Sequence, residues 1–272
     1  MNEPLKKALL YLDEDLASSM AFRFAAAQAQ VLGMALQPFH VVDSEGQASE
    51  NLGWVSRSWE KVRLAGGLDK VNRLLRTENI AYPQAGEPKI ALGNKDQETL
   101  RELAGGGYSL FMEGYLDKSD PADFLRFLDA ARFRKNPCPL LLVKNLVDPE
   151  QLLLLLDQEM DAGLAVSHLT ALYEDAAMDM DLTVLYYKSG EEGELVFQQR
   201  KKGSSLDRIG ALLAQAGWNE PEWLVVQGTP EKAAGYMQGH GLVATLFPGL
   251  AGARAELLAH LANPLLLFQG MR

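Results

Sequence analysis

Few residues in this chain are of a type and spacing to do chemistry. Of 272 residues, one is cysteine and four are histidine. Cys138 stands between Pro137 and Pro139 at the head of an apolar run, with no histidine near it in sequence. That is the setting of a buried, inert thiol rather than a nucleophile. A lone cysteine makes neither an internal disulfide nor a thiolate zinc site, and His40, His168, His240 and His260 lack ligand spacing. No Gly-x-Ser-x-Gly elbow, His-Glu-x-x-His pair or Gly-x4-Gly-Lys-Ser/Thr loop occurs. Gly105-Gly106-Gly107 has the composition of a phosphate loop. It follows a helical segment and precedes an apolar run, at the amino end of a strand. Open parallel sheets bind ligands at the opposite end, so it reads as a helix stop. Arg200-Lys201-Lys202 reads as a solvated loop, with contact to a small anion or a partner as the alternative. Two aspartates remain, Asp13 and Asp157, each closing a short apolar run. An acid there serves the start of the following helix or faces a ligand beside it.

The elements that would position these aspartates alternate in type. Apolar runs at 8–12, 36–42, 88–92, 110–112 and 140–143 read as strands. Between them, helical spacing runs from Leu16 to a stop at Gly33, then over 58–77, 96–104 and 121–135. In 58–77, Trp59, Val62, Leu68, Val71 and Leu75 share one side, and Gly66-Gly67 weakens the helix by roughly 1 kcal/mol per glycine. The second half repeats the plan. Strands are expected at 152–156, 182–187, 223–226, 242–246 and 265–268, and helices at 165–173, 204–216, 230–238 and 253–260. The closing units align: Asn136-Pro137-Cys138-Pro139-Leu140-Leu141-Leu142-Val143 against Leu261-Ala262-Asn263-Pro264-Leu265-Leu266-Leu267-Phe268. Continuous apolar strands alternating with helices predict parallel sheets covered on both faces. The long internal repeat predicts two similar domains, residues 1–146 and 147–272, with almost no linker.

Composition narrows the classes of partner. The formal net charge is -10 and the sequence pI is about 5.0, which argues against broad binding to nucleic acid or an anionic membrane. Residues 1–146 hold 18 of the 26 basic and 19 of the 36 acidic residues, leaving 8 and 17 for 147–272. The excess charge therefore lies on the second half, as a solvated acidic surface or a seat for a cationic partner. The first apolar run ends after five residues in Asp13-Glu14-Asp15, and 152–156 closes at Asp157. Neither approaches the roughly 20 residues that span a bilayer. A soluble, unexported, cytoplasmic protein is expected.

Several segments resemble one family. Lys7-Ala8-Leu9-Leu10-Tyr11-Leu12-Asp13, followed by an Ala-rich helix, resembles the opening of a universal stress protein domain. Leu36-Gln37-Pro38-Phe39-His40-Val41-Val42-Asp43 resembles that family's second strand. Ser109-Leu110-Phe111-Met112-Glu113-Gly114 resembles its fourth, and the unit from Asn136 to Val143 its fifth. The resemblance covers most of residues 5–145 and returns in weaker form over 151–269. The whole is similar to a tandem universal stress protein, in which two domains mimic the family's homodimer. This implies an α/β fold of two tandem open parallel five-stranded sheets, HUP or Rossmann-like, packed as a pseudo-dimer through strands 140–143 and 265–268.

The resemblance also implies where ATP or AMP would sit. Family members that bind these place an aspartate after the first strand against the nucleoside. A Gly-x2-Gly-x9-Gly-Ser/Thr loop before the last helix takes the phosphates, by backbone N–H groups and the helix dipole. In the first half Gly114 keeps the first glycine, Asp117 replaces the second, and the Gly-Ser/Thr position falls near residues 126–128. Asp117, Asp120 and Asp123 would repel a polyphosphate. Asp120 beside Pro121 is also a helix start. In the second half Gly252-Ala253 matches the helix start, while most of the nine-residue spacer is gone. Gly249, Gly252 and Arg254 there suit either a small anion or a tight strand–helix turn. The candidate nucleotide positions are thus Asp13 and Gly114, then Asp157, Gly249, Gly252 and Ala253. No catalytic residue, metal or resident cofactor is expected. The function implied is that of a non-catalytic stress-response regulatory or interaction protein, with an adenine-nucleotide sensor using one half as the alternative. The expected partners are the chain's own other half, a second copy and an unidentified protein, without nucleic acid or membrane.

Overall fold

The computed structural model describes residues 6–43, 53–116, 120–190, 194–198 and 205–270. Asp117 and the Arg200-Lys201-Lys202 run lie outside the described residues. The first half contains β1 (Lys7–Tyr11), α1 (Leu16–Val31), β2 (Ala35–Asp43), α2 (Gly53–Glu78), β3 (Lys89–Gly93), α3 (Lys95–Gly106), β4 (Leu110–Gly114), α4 (Pro121–Leu128), α5 (Ala131–Arg134) and β5 (Leu140–Val143). The second contains β6 (Gln151–Asp157), α6 (Ala162–Tyr173), β7 (Asp181–Ser189), β8 (Val196–Gln198), α7 (Ser205–Gln215), β9 (Glu222–Gly228), α8 (Pro230–Met237), β10 (Leu242–Leu246), α9 (Ala253–His260) and β11 (Leu265–Phe268).

The strands form one 11-stranded sheet in the order β3-β2-β1-β4-β5-β11-β10-β6-β7-β9-β8. Outward from the middle, the first half runs β5, β4, β1, β2, β3. The second runs β11, β10, β6, β7, β9, with β8 added at the edge. Pairing is parallel within each set of five, as the helical crossovers require. The two closing strands meet antiparallel, with Leu142 opposite Leu265, Leu141 opposite Leu266 and Leu140 opposite Leu267. The expected parallel α/β architecture is therefore present, with its two five-stranded sets fused edge to edge.

Alternation along the strands sends side chains to two cores. On one face Leu10, Met112, Leu141, Leu154, Ala244 and Leu266 pack in a cluster that includes Phe22 of α1 and Leu169 of α6. On the other, Leu9, Phe111, Leu140, Leu153, Val243 and Leu265 share a cluster with Phe124 of α4 and Leu257 of α9. Both clusters cross the β5–β11 seam. Apolar strands with no polar face occur because both faces are covered.

The helix starts follow capping chemistry. Asp15, Asn94, Asp120, Asp161 and Thr229 each accept a backbone N–H of the helix they open. The N-cap places near Asp13 and Asp157 therefore belong to Asp15 and Asp161. Gly107, at φ 63°, is the left-handed cap that ends α3.

Three sequence expectations change. The helix expected at 121–135 is split into α4 and α5 around Ala130, whose backbone is extended. Ala131 N–H instead donates to the Asp96 carboxylate, so a tertiary bond replaces helix continuity. Trp59 and Val62 are not on a buried side: each is 63% exposed, whereas Val71 is buried. α2 closes on the sheet at Gly67, where an added Cβ would stand 2.7 Å from Val42 and 2.9 Å from Ile90. Strand β8 was not foreseen. Its three residues pair antiparallel with β9, too short a run to carry a periodic signal.

Candidate functional site

Open parallel sheets take ligands in a cleft at the carboxyl ends of their strands, and each half has one such end. In the first cleft Asp13 follows β1 and is partly exposed. Its Oδ1 accepts from the Glu14 N–H at 2.8 Å, and its own N–H donates to Ser18 Oγ at 2.7 Å. His40 Nδ1 lies 4.0 Å from Asp13 Oδ1 but 2.8 Å from the Leu12 carbonyl. With that carbonyl as acceptor, Nδ1 carries the proton. Gly114 ends β4, and a Cβ there would lie 2.1 Å from the Ala17 carbonyl oxygen. This glycine is accounted for by the close passage of α1 over the strand.

Glu113, the residue before Gly114, organises the rest of this cleft. It is 3% exposed. Arg132 grips it in bidentate fashion, Nε to Oε2 at 2.9 Å and Nη2 to Oε1 at 3.0 Å. Lys95 Nζ reaches Oε1 at 2.9 Å, and Arg132 Nη1 reaches Asp96 Oδ1 at 2.6 Å. Lys95 also sits 3.7 Å from the Tyr11 ring centroid, and Arg132 4.2 Å from that of Phe133. Burial alone would lower the Arg132 pKa, but Glu113 and Asp96 hold it above the ordinary guanidinium value. Burial, reinforced by the charges of Asp13 and Glu113, pushes the Tyr11 phenol up. Two cations and two carboxylates thus neutralise one another between β4, α3 and α5. The sequence held one signal of this: a glutamate closing an apolar strand must find a partner. The identity of that partner was not readable.

In the second cleft Asp157 ends β6 and is 9% exposed. Its Oδ1 accepts from the Glu159 N–H at 2.8 Å, and its Oδ2 lies 3.2 Å from Arg254 Nη1. Arg254 is the second residue of α9, whose N-cap Gly252 has φ 95° and offers no side-chain cap. Tyr187 donates its hydroxyl to the Gly228 carbonyl at 3.0 Å, and its pKa is raised, chiefly by burial. Asp157, Tyr187, Ser189, Ala253 and Arg254 line a cavity of about 20 Å³. That is room for a water, whereas pockets for small-molecule ligands run to about 300–1,000 Å³.

The structure thus brings together Asp157 and Ala253, with Gly252 adjoining. Gly249 does not line this cavity. Cys138 is buried, with Sγ 3.2 Å from Asn136 Oδ1 and its thiol pKa pushed up to about 12 by burial. Two wider depressions, of about 580 Å³ beside α2 and 360 Å³ beside α7, include none of these residues. No helix among the described residues is long and apolar enough to cross a membrane.

An open, mostly parallel sheet with polar residues gathered at its carboxyl ends belongs to the Rossmann-like class. Among solved structures the chain is similar to a universal stress protein from Archaeoglobus fulgidus DSM 4304. The two share 12% identity over 97% of this chain and 96% of that one, with a TM-score of 0.62. It is similar also to a putative universal stress protein from Pseudomonas aeruginosa UCBPP-PA14, at 16% identity, 97% and 93% coverage and a TM-score of 0.55. A functionally unknown protein from Pseudomonas aeruginosa PAO1 matches at 16% identity, 97% and 92% coverage and a TM-score of 0.54. No protein-family model and no curated protein matches the chain. The chain has the fold of the universal stress proteins over nearly its whole length.

Proposed function

We propose that this chain is a tandem universal-stress-type protein that acts without catalysis, as a cytoplasmic stress-response regulatory or interaction protein. Residues 1–146 and 147–272 would be its two domains, paired within one chain as a pseudo-dimer. The observation that carries this reading is the antiparallel β5–β11 seam, with the same outward strand order on either side. A second copy is not needed to cover either closing strand. The polar groups at the strand ends support a non-catalytic role. Glu113, Arg132 and Asp96 are spent on one another, and Asp157 faces Arg254. Such pairing offers no poised acid–base set at either strand end among the described residues.

Native mass spectrometry of the untreated protein, followed by calorimetry with ATP, ADP and AMP, tests the reading. The expected result is an empty protein with flat titrations and no phosphate release from ATP. An adenine nucleotide at near-stoichiometric occupancy would replace it with a nucleotide sensor.

A further inference from the structure

The depressions beside α2 and α7 occupy equivalent places in the two halves. Leu68-Asp69-Lys70-Val71 of α2 matches Leu206-Asp207-Arg208-Ile209 of α7. In the same register, without a gap, Leu74-Leu75 matches Leu212-Leu213 and Pro83 matches Pro221. Asn79 and Gly217, in matching places just past the two helices, are both left-handed, at φ 48° and 84°. Each depression lies between its helix and the loop leading into the next strand, at the amino end of the sheet, away from the strand-end aspartates. Matching positions line them differently. Both keep the aspartate, Asp69 in one and Asp207 in the other. In the first, Arg76 offsets its charge. In the second, Ala214 stands where Arg76 would, and Gly210 where Asn72 would, so the cation is lost and the helix wall is lowered. Trp218 replaces Ile80, Glu220 replaces Tyr82, and Trp223 of β9 joins them. Among the described residues, the lining of the second thus holds two carboxylates and two indoles, and no lysine or arginine.

We propose that the depression beside α7 is a binding site for an alkylated ammonium ion. Its volume of about 360 Å³ falls in the range of small-molecule sites. Indole faces attract cations through the ring quadrupole, and they cover the methyl groups of an alkylated ammonium at the same time. Asp207 and Glu220 favour a positive ligand over a neutral one of the same shape. The 17 acidic against 8 basic residues of 147–272 draw cations toward this half. The walls are held in place before any ligand arrives, which lowers the entropic cost of binding. Trp218 donates from Nε1 to Thr170 Oγ1 at 3.4 Å and stands 5.9 Å from the Tyr173 ring. Asn219 Nδ2 donates to the Met178 carbonyl at 2.8 Å and ties down the loop that carries Glu220. Trp223 packs, partly buried, against the core. The depression beside α2, with Arg76 and without an indole, serves as the internal contrast.

The test uses the full chain and three probes: choline, its neutral isostere 3,3-dimethyl-1-butanol, and N-acetyl-trimethyllysine amide. Binding is read from the indole N–H chemical shifts of Trp218 and Trp223. Choline should give saturable shifts, and the isostere should bind about tenfold more weakly. Ala214→Arg restores the cation of the first half and should weaken choline by about tenfold or more. Glu220→Gln should weaken it by about threefold, and Trp223→Leu by about fivefold or more. Ala214 and Glu220 are exposed, so their variants carry the test if Trp223→Leu does not fold. Tighter binding of the trimethyllysine amide would assign the ammonium to a modified side chain, and tighter binding of choline to a free compound. The absence of saturable shifts with either ammonium overturns the proposal. So does equal binding of the neutral isostere, or choline binding that Ala214→Arg leaves unchanged.

Discussion

The strand-end regions of the two halves occupy corresponding places and pair their charges in different ways. In the first, Glu113 is 3% exposed and held by Arg132 through two hydrogen bonds, with Lys95 and Asp96 completing a charge-balanced network. In the second, Asp157 meets Arg254 through one contact at 3.2 Å, and the guanidinium keeps unmet donors. The difference lies in hydrogen-bond completeness. A fully satisfied buried network rigidifies its surroundings, whereas an unpaired buried polar group carries a desolvation cost. The seam between the halves differs from both clefts. There the paired positions Leu141 and Leu266 are equivalent in register and almost fully buried.

The largest effects are expected at the seam, where the halves should behave alike. Leu141→Lys and Leu266→Lys each place an ammonium in a dry junction, at an effective cost of several kcal/mol. Both should abolish or sharply reduce cooperative unfolding in urea, and small-angle scattering should show loss of compactness. Unchanged melting in either would show that β5 and β11 do not bind the halves together.

The next contrast separates the clefts. Arg132→Met leaves the buried Glu113 carboxylate to Lys95 alone and should cost about 3 kcal/mol or more by urea denaturation. Arg254→Met strands an acid that still receives the Glu159 N–H, and should cost about 1–3 kcal/mol. Equal losses would erase the distinction between the two pairs.

Two glycines that sequence reasoning placed in the nucleotide loops sharpen the contrast further. Gly114→Ala drives a Cβ into the Ala17 carbonyl and should destabilise by about 1–3 kcal/mol or more through overpacking. Gly252→Ala meets nothing within 4 Å and bears only the strain of φ 95°, about 1–2 kcal/mol. Thermal melts of the pair should rank them in that order.

The smallest expected effect is at Lys144, just past β5. Its ammonium reaches the carbonyls of Leu258 and Leu261 at the end of α9. Across the seam Gln269 Nε2 donates to the Phe133 carbonyl at 3.1 Å. Each half thus caps a helix end of the other. Lys144→Met should lose about 1 kcal/mol, and Gln269→Leu somewhat less, because hydrogen bonds from a charged donor are stronger.

Local chemistry decided most of the fold before any tertiary contact. Apolar runs at 8–12, 140–143, 152–156 and 265–268 read as strands buried on both faces, and they are. Asp120 beside Pro121 is legible as a helix start because a short acceptor satisfies N–H groups that the helix cannot, whereas Asp15 and Asp161 hold the cap places that the sequence offered to Asp13 and Asp157. The repeat of the unit at 136–143 in that at 261–268 foretold the two strands that meet at the seam. These features depend on neighbours within a few residues, and so the sequence displays them.

The clefts depend on neighbours far away in the chain. Glu113 and Arg132 are 19 residues apart, Arg254 and Asp157 nearly 100, and no spacing rule links either pair. Asp13 and Asp157 look alike in sequence, yet one is partly exposed and the other lies against a guanidinium. Gly114 looked like the remnant of a phosphate loop, and the passage of α1 gave it another reason to be glycine. Sequence determined which elements form and in what order, because backbone hydrogen bonding and side-chain periodicity are local. Tertiary structure decided which charges meet, because electrostatic pairing depends on distance through space and on the water that packing removes.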